Sequence, residues 1–130
     1  LYLGELSDQL LPSLCQQAAE VEAAPFQLEI DQLTFKPRSH ILWLGAQQHP
    51  EQLEQLVLQL QAMAERLGLV YDKRIYQPHI TLLRRAKKPA GLELTPKFQF
   101  QFDDFVLFES VQEALGVSYI ELASWPLAKK

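Results

Sequence analysis

The chain has 130 residues, of which 48% are hydrophobic and 22% are charged, and its formal net charge is −4. This is the length of one domain, and it suffices to bury a core without a disulfide or a metal. No apolar run approaches the ~18 residues that span a bilayer. Cys15 is the single cysteine, and a mildly acidic chain is unsuited to coating long nucleic acid. We therefore expect one cytoplasmic domain with no membrane partner.

The front of the chain predicts a strand followed by a helix. Residues 1–3 are apolar and precede a glycine, which is typical of the tail of a strand. Ser7 or Asp8 then caps a helix, since their side-chain oxygens accept hydrogen bonds from the first free N–H groups. We predict that this helix continues to about residue 24 and ends at Pro25.

Three strands are predicted next. Residues 26–30 alternate apolar and polar side chains, which predicts a strand with one wet face. A second strand is predicted over residues 33–35. The apolar run of residues 41–44, ending at Gly45, predicts a central strand buried on both faces.

The strongest helix signal follows residues His49 and Pro50. Its apolar residues recur at the three-and-four spacing of a single helix face up to residue 67. Gly68 occupies the position of a left-handed C-terminal cap.

The second half of the chain is predicted to be mostly strand. We predict strands over residues 79–83, 98–102, 105–108 and 119–122, with a basic turn over residues 86–91. The predicted order is β-α-β-β-β-α-β-β-β-β. Since few connections are parallel crossovers, this order favours an α+β fold rather than a doubly wound one.

The segment His79, Ile80, Thr81 and Leu82 is the best candidate for chemistry. Side chains alternate in a strand, so His79 and Thr81 share one face while Ile80 and Leu82 anchor the other. An imidazole transfers protons near neutral pH, and a hydroxyl two residues away can bind the same anionic oxygens. The pair suits a phosphate ester, although a half-buried strand histidine without function is the alternative interpretation.

A basic window surrounds this motif in an otherwise acidic chain. Six of the twelve basic residues fall within sixteen positions that contain no Asp or Glu: Lys73, Arg74, Arg84, Arg85, Lys87 and Lys88. Such a window favours a small anionic ligand, and a solvated loop is the alternative. Arg84 is the best phosphate-binding candidate, but it needs a bulge to share the face of Thr81. Tyr76 is a candidate for stacking on a base, with an exposed strand-edge tyrosine as the alternative.

Other reactive residues predict no site. His40, His49 and His79 are too widely spaced, and lack acidic partners at ligand spacing, to indicate a metal centre. Cys15 is predicted to be a small core residue of the first helix. The pair of Asp103 and Asp104 is typical of a turn between two strands.

Residues 76–84, with the sequence YQPHITLLR, resemble the second HxTx motif of the two-histidine (2H) phosphoesterases, in particular the bacterial RNA 2′,3′-cyclic phosphodiesterases, also described as 2′-5′ RNA ligases. The similarity continues in the apolar strand ending in Trp43, Leu44 and Gly45, and in the helix after Pro50. Similar closing positions are Phe108, Glu109, Ser110, Gly116, Tyr119, Leu122, Trp125, Pro126 and Leu127.

The front of the chain departs from the family pattern. Residues 1–5, LYLGE, look like the continuation of the family's first HxTx motif, which would therefore end just before Leu1. His40 cannot replace that motif, because no Thr or Ser stands two residues after it. Either the sequence begins after a preceding segment or the protein has been shortened. We therefore expect residues 1–130 to be an N-terminally incomplete 2H phosphoesterase domain that does not turn over alone.

The resemblance implies a bilobal fold in which two antiparallel sheets form a central cleft with helices outside. It implies hydrolysis of 2′,3′-cyclic phosphate ends of RNA or nucleotides to a 2′-phosphate, without metal or cofactor. His79 would be the proton acceptor, Thr81 would position the phosphate, and Arg84 and Tyr76 would bind substrate. We expect a monomer whose partners are RNA 3′ ends or small nucleotides. The alternatives are a binding module without turnover, or action on another cyclic phosphate or a 2′-5′ linkage.

Overall fold

A computed structural model of the protein describes residues 1–88 and 96–127. Within these residues two helices and seven strands follow one another in the order α-β-β-β-α-β-β-β-β. Their bounds are α1 Leu11–Ala19, β1 Phe26–Ile30, β2 Gln32–Lys36, β3 Ile41–Gly45, α2 Glu51–Arg66, β4 His79–Leu83, β5 Phe98–Phe102, β6 Asp104–Glu113 and β7 Gly116–Pro126. The strand pairings given for these elements are antiparallel, so the predicted α+β class is confirmed.

Helix α1 begins later than predicted, at Leu11 rather than after Ser7 or Asp8. Its N-cap residue is Leu10, which makes no side-chain capping bond. The Leu10 N–H instead donates to the Ser7 carbonyl at 3.0 Å, forming a separate turn. Pro12 lies in the first turn of the helix, where its missing N–H removes no helical bond. The predicted cap was therefore wrong, and the proline marks the true start.

Helix α1 also ends earlier than predicted, at Ala19 rather than near residue 24. The backbone of Glu22 is bound by the side chain of Gln59 on α2. The Glu22 N–H donates to Gln59 Oε1 at 2.9 Å, and Gln59 Nε2 donates to the Glu22 carbonyl at 2.6 Å. Because both backbone groups bond outside the helix, the chain leaves α1 and carries Ala23, which is buried, into the core.

We expect Gln59→Met to lower the free energy of unfolding by about 1–2 kcal/mol, because it leaves both Glu22 backbone groups without the amide. Urea denaturation monitored by circular dichroism measures the change. Gln55→Met is the matched control, because the Gln55 side chain donates to the exposed Glu51 on the same helix. Equal midpoints for the two variants would contradict a stabilising role for the Gln59 amide.

Residues 1–3 were predicted to be strand, and this is wrong, because the structure gives them no regular secondary structure. A strand needs a hydrogen-bonded neighbour, and none of the described pairings includes these residues. Leu3 packs instead against the small core cluster that joins the two helices through Leu14, Ala18 and Met63.

The strands of the described residues pair in three groups, β1 with β5, β2-β3-β4, and β6 with β7. The predicted alternation in β1 is confirmed, because its three apolar side chains are buried and its two polar ones are exposed. The three phenylalanines of β5 lie opposite those apolar residues. Strands β6 and β7 extend well beyond the predicted runs and form a long hairpin.

Strand β3 lies at the centre of its sheet, as predicted, but it is not buried on both faces. Residues 41–44 are all half-buried. One face of this sheet holds Trp43 beneath the exposed His79, so solvent reaches it. The continuous apolar sequence predicts burial on both faces. This prediction is wrong, because one face of the sheet is open to solvent.

Helix α2 agrees with its prediction to within about a residue at each end. Leu53, Leu56 and Val57 are buried against β1 and neighbouring residues of the main core. Gly68 has φ +71°, and the Leu69 N–H donates to the Ala64 carbonyl at 2.9 Å, which is the bond expected of a glycine-capped helix end. None of the helices in the described residues is long and apolar enough to cross a membrane. The predicted basic turn of residues 86–91 lies outside the described residues from position 89 onward.

Candidate functional site

One face of the β2-β3-β4 sheet carries the predicted motif, and we call it the site face. Residues directly opposite each other in antiparallel strands point to the same side of the sheet. The register therefore produces successive rows of side chains across the three strands. The first row is Gln32, Gly45 and His79, and the second row is Thr34, Trp43 and Thr81.

His79 lies on the outer strand with its ring against Trp43. The imidazole and indole centroids are 4.4 Å apart, with a tilt of 41°. Gly45 is the residue opposite His79 in the strand register. His79 remains exposed. The ring is thus supported on one side and accessible on another, as a proton-transfer group requires.

A hydrogen bond sets which nitrogen of His79 is free. Nδ1 lies 2.9 Å from the backbone carbonyl of Gln77. A carbonyl can only accept, so Nδ1 carries the proton, and in the neutral ring Nε2 holds the lone pair. Nε2 is therefore the atom that can accept a proton from water.

Thr81 lies on the same face, as the alternation predicts. The predicted anchoring of Ile80 and Leu82 is wrong, because these side chains are 43% and 51% exposed. Thr81 is half-buried and directly opposite Trp43. The hydroxyl can donate one hydrogen bond and accept two. An anionic oxygen held by Thr81 would therefore lie beside the imidazole, which is the geometry expected for a phosphoryl group.

A β-bulge brings Arg84 toward this face. Trp43 pairs with Thr81 whereas Leu42 pairs with Leu83, so Leu82 is an extra residue in β4. Alternation restarted at Leu83 returns Arg84 to the face of Thr81. The Ala86 N–H donates to the His40 carbonyl at 2.7 Å, so the chain stays beside the start of β3 past Arg84.

The basic window is divided by the structure. On the loop before β4, Arg74 binds Asp72, with Nη2 2.6 Å from Oδ2. The hydrogen bonds from Arg74 hold the pKa of the Asp72 carboxyl at about 2, so the pair is charged at neutral pH. Arg84, Arg85, Lys87 and Lys88 are exposed at the far end of β4, and within the described chain they form no ion pair.

Tyr76 is half-buried and packs against the main core, and burial raises the pKa of its phenol. The exposed strand-edge alternative is therefore wrong, while base stacking by Tyr76 stays a prediction. Cys15 is also half-buried, so its assignment to the core is corrected: Leu14 and Ala18 occupy the core positions of α1.

The other candidates lie apart from the site face. His40 belongs to the turn between β2 and β3, and His49 precedes α2. Asp103 lies between β5 and β6 and Asp104 begins β6, which confirms a strand junction. Within residues 1–88 and 96–127, no group of three or more His, Cys, Asp or Glu residues could hold a metal ion.

The sequence analysis missed two residues of the site face, Trp43 and Lys36. Lys36 ends β2, and its Nζ lies 4.4 Å from the centroid of the Trp43 ring. Alternation along β2 and β3 assigns each residue to one of two faces. Only the pairing register shows that these faces coincide with that of His79.

The chain has an α+β fold with His-x-Thr on the outer strand of an antiparallel sheet. These features agree with the class of protein that the sequence resembles, the 2H phosphoesterases. The chain belongs to the 2′-5′ RNA ligase superfamily, whose sequence model matches residues 1–114. These are the 2H phosphoesterases, and the curated relatives are phosphodiesterases, which are enzymes.

Three relatives illustrate the similarity. RNA 2′,3′-cyclic phosphodiesterase of Escherichia coli (strain K12) is 32% identical over 130 residues, which cover 98% of this chain and 73% of the relative. The crystal structure of E. coli LigT complexed with 3′-AMP matches at a TM-score of 0.89 and 32% identity, covering 99% of this chain and 75% of that one. The LigT complex with NADP+ matches at 0.86 and 32%, covering 98% and 73%.

Proposed function

We propose that this chain supplies one half of a site that hydrolyses the 2′,3′-cyclic phosphate ends of RNA or small nucleotides. The carrying observation is His79, whose Nδ1 is bound to the Gln77 carbonyl and whose Nε2 is left as a proton acceptor beside Thr81. The names of the relatives and the nucleotides in the LigT structures support this substrate class.

The reaction needs two proton transfers on opposite sides of phosphorus. His79 Nε2 takes a proton from water as the water oxygen bonds to phosphorus, and the bond from phosphorus to the ribose 3′ oxygen breaks. That oxygen receives a proton from a second imidazole, leaving a 2′-phosphomonoester. Two imidazoles account for both transfers, so no step in this scheme calls for a metal.

Thr81 and Arg84 bind rather than transfer protons in this proposal. The Thr81 hydroxyl donates to a phosphoryl oxygen, and the Arg84 guanidinium balances the negative charge. Tyr76, the remaining residue of the predicted site, contributes to nucleotide binding in this proposal.

The second imidazole belongs to a first HxTx motif of the kind that the 2H phosphoesterases carry, since among the described residues His79 is the one histidine in the rows of the site face. On this proposal residues 1–130 bind nucleotide but do not turn over alone. The protein acts as a monomer in the cytoplasm, a compartment that its single cysteine suits.

The test is a substrate panel on protein that contains both motifs, with residues 1–130 alone in parallel. The panel holds adenosine 2′,3′-cyclic phosphate, a short RNA ending in the same group, ADP-ribose cyclic phosphate and a 2′-5′-linked dinucleotide. We expect turnover of the first two to the 2′-phosphate, read by phosphorus NMR. Binding without product would favour the binding module, and preference for either of the last two would change the substrate. Turnover by residues 1–130 alone would contradict the need for a second imidazole.

A further inference from the structure

A third row of the site face lies beyond Thr81 and is cationic. Lys36 pairs with Ile41, and Arg84 follows Leu83, whose partner is Leu42. Leu83 is the last residue of β4, and continuing its register by one residue puts Arg84 level with Ile41, in a row with Lys36. Neither cation forms an ion pair within the described residues, and no acidic residue stands in any of the three rows.

Trp43 separates this row from His79. The Trp43 indole contacts the imidazole of His79, which belongs to the first row. The ammonium of Lys36, which belongs to the third row, lies over the same indole. Such a cation–π contact orients the ammonium without neutralising it. Lys36 is half-buried, so its stem packs on the sheet while its charge stays available to an anion.

The distance between His79 and the Lys36 ammonium is of the size of one nucleotide. The imidazole centroid and the Lys36 Nζ each lie 4.4 Å from the centroid of the Trp43 ring, so they are at most about 9 Å apart. One ribose with its two ester oxygens spans a comparable distance between its 3′ and 5′ phosphates. A cyclic phosphate held by His79, Thr81 and Arg84 would thus direct the 5′ phosphate of the same nucleotide toward Lys36.

We propose that Lys36, one row beyond Thr81 on the site face, forms a second anion subsite that binds the 5′-phosphate of the terminal nucleotide. This inference rests on the proposed function, because it takes the first phosphate to bind at His79 and Thr81. It makes the preferred substrate a nucleotide with two phosphate groups rather than a nucleoside cyclic phosphate.

The test is a binding titration of residues 1–130 with three probes, monitored by NMR and by calorimetry. The probes are adenosine 3′-monophosphate, adenosine 3′,5′-bisphosphate and a dinucleotide ending in a 3′-phosphate. We expect the bisphosphate to bind about fivefold more tightly than the monophosphate at low salt, consistent with about 1 kcal/mol from exposed charges. An equal gain for the dinucleotide identifies an RNA strand as the source of the 5′-phosphate, and a gain for the bisphosphate alone identifies a free nucleotide.

Three variants separate this inference from the proposed function. Lys36→Met removes the charge and keeps the apolar stem, so it should abolish the advantage of the bisphosphate, whereas Lys36→Arg should retain it. Lys97→Met is the matched control, because Lys97 pairs with Glu29 on another sheet. Thr81→Ala should weaken the binding of all three probes.

The outcomes are distinguishable. No advantage of the bisphosphate in the unsubstituted chain, or the same advantage in Lys36→Met, would overturn the second subsite while leaving the first intact. Failure of every probe to bind, or full binding by Thr81→Ala, would overturn the proposed function itself.

Discussion

His79→Ala is expected to lower kcat for 2′,3′-cyclic phosphate hydrolysis by about 10²–10⁴-fold, the range for removal of a positioned acid or base. The variant removes the Nε2 lone pair that faces solvent beside Thr81, and no other described histidine lies on the site face. Steady-state kinetics on protein with both motifs measures the loss. KM should change less than kcat, because Thr81 and Arg84 still bind the phosphate.

His49→Ala is the matched control for this prediction. His49 is half-buried just before α2 and outside the β2-β3-β4 sheet, so its loss should leave kcat within about twofold. An NMR spectrum of each variant confirms that the sheet is intact. Turnover by His79→Ala at the unsubstituted rate would remove His79 from the reaction.

Leu14→Ala is expected to lower the free energy of unfolding by about 3 kcal/mol, within the 2–5 kcal/mol typical of buried leucines. Leu14 is 1% exposed and forms, with Ala18 of α1 and Met63 of α2, the cluster that joins the two helices. Truncation leaves a cavity that these helices cannot fill without moving. Urea denaturation monitored at two wavelengths measures the change.

Leu58→Ala controls for the loss of leucine from a helix. Leu58 lies on α2 but is 64% exposed, so its truncation should cost less than about 1 kcal/mol. A loss of under 1 kcal/mol in Leu14→Ala would show that the two helices do not depend on this cluster. Similar losses in both variants would contradict burial as the cause, since alanine has a higher helix propensity than leucine.

Much of the site was predictable because it is local. The strand His79–Leu83 has the predicted bounds, and His79 and Thr81 share a face, since alternation depends only on neighbouring residues. Arg84 was predicted to need a bulge, and the register of β4 on β3 contains one at Leu82. The pattern could not show the bulge itself, because it arises from pairing with another strand.

The helices show the same division. Helix α2 was predicted closely because sixteen residues carry one apolar face and Gly68 ends it, all within a contiguous segment. Helix α1 was predicted too long because its end depends on Gln59, which lies 37 residues beyond Glu22 in the chain. No local pattern predicts that the side-chain amide of Gln59 binds both the N–H and the carbonyl of Glu22.

The sequence by itself determined the α+β class, the 2H phosphoesterase family and the His-x-Thr strand, because periodicity and motifs are properties of short segments. Only the tertiary structure decided which faces meet. It placed Trp43 under His79 and set Lys36 over the same indole. The physical reason is that strand register and ring packing follow from the burial of the whole sheet, and a shift of one residue would turn every side chain of a strand to the other face.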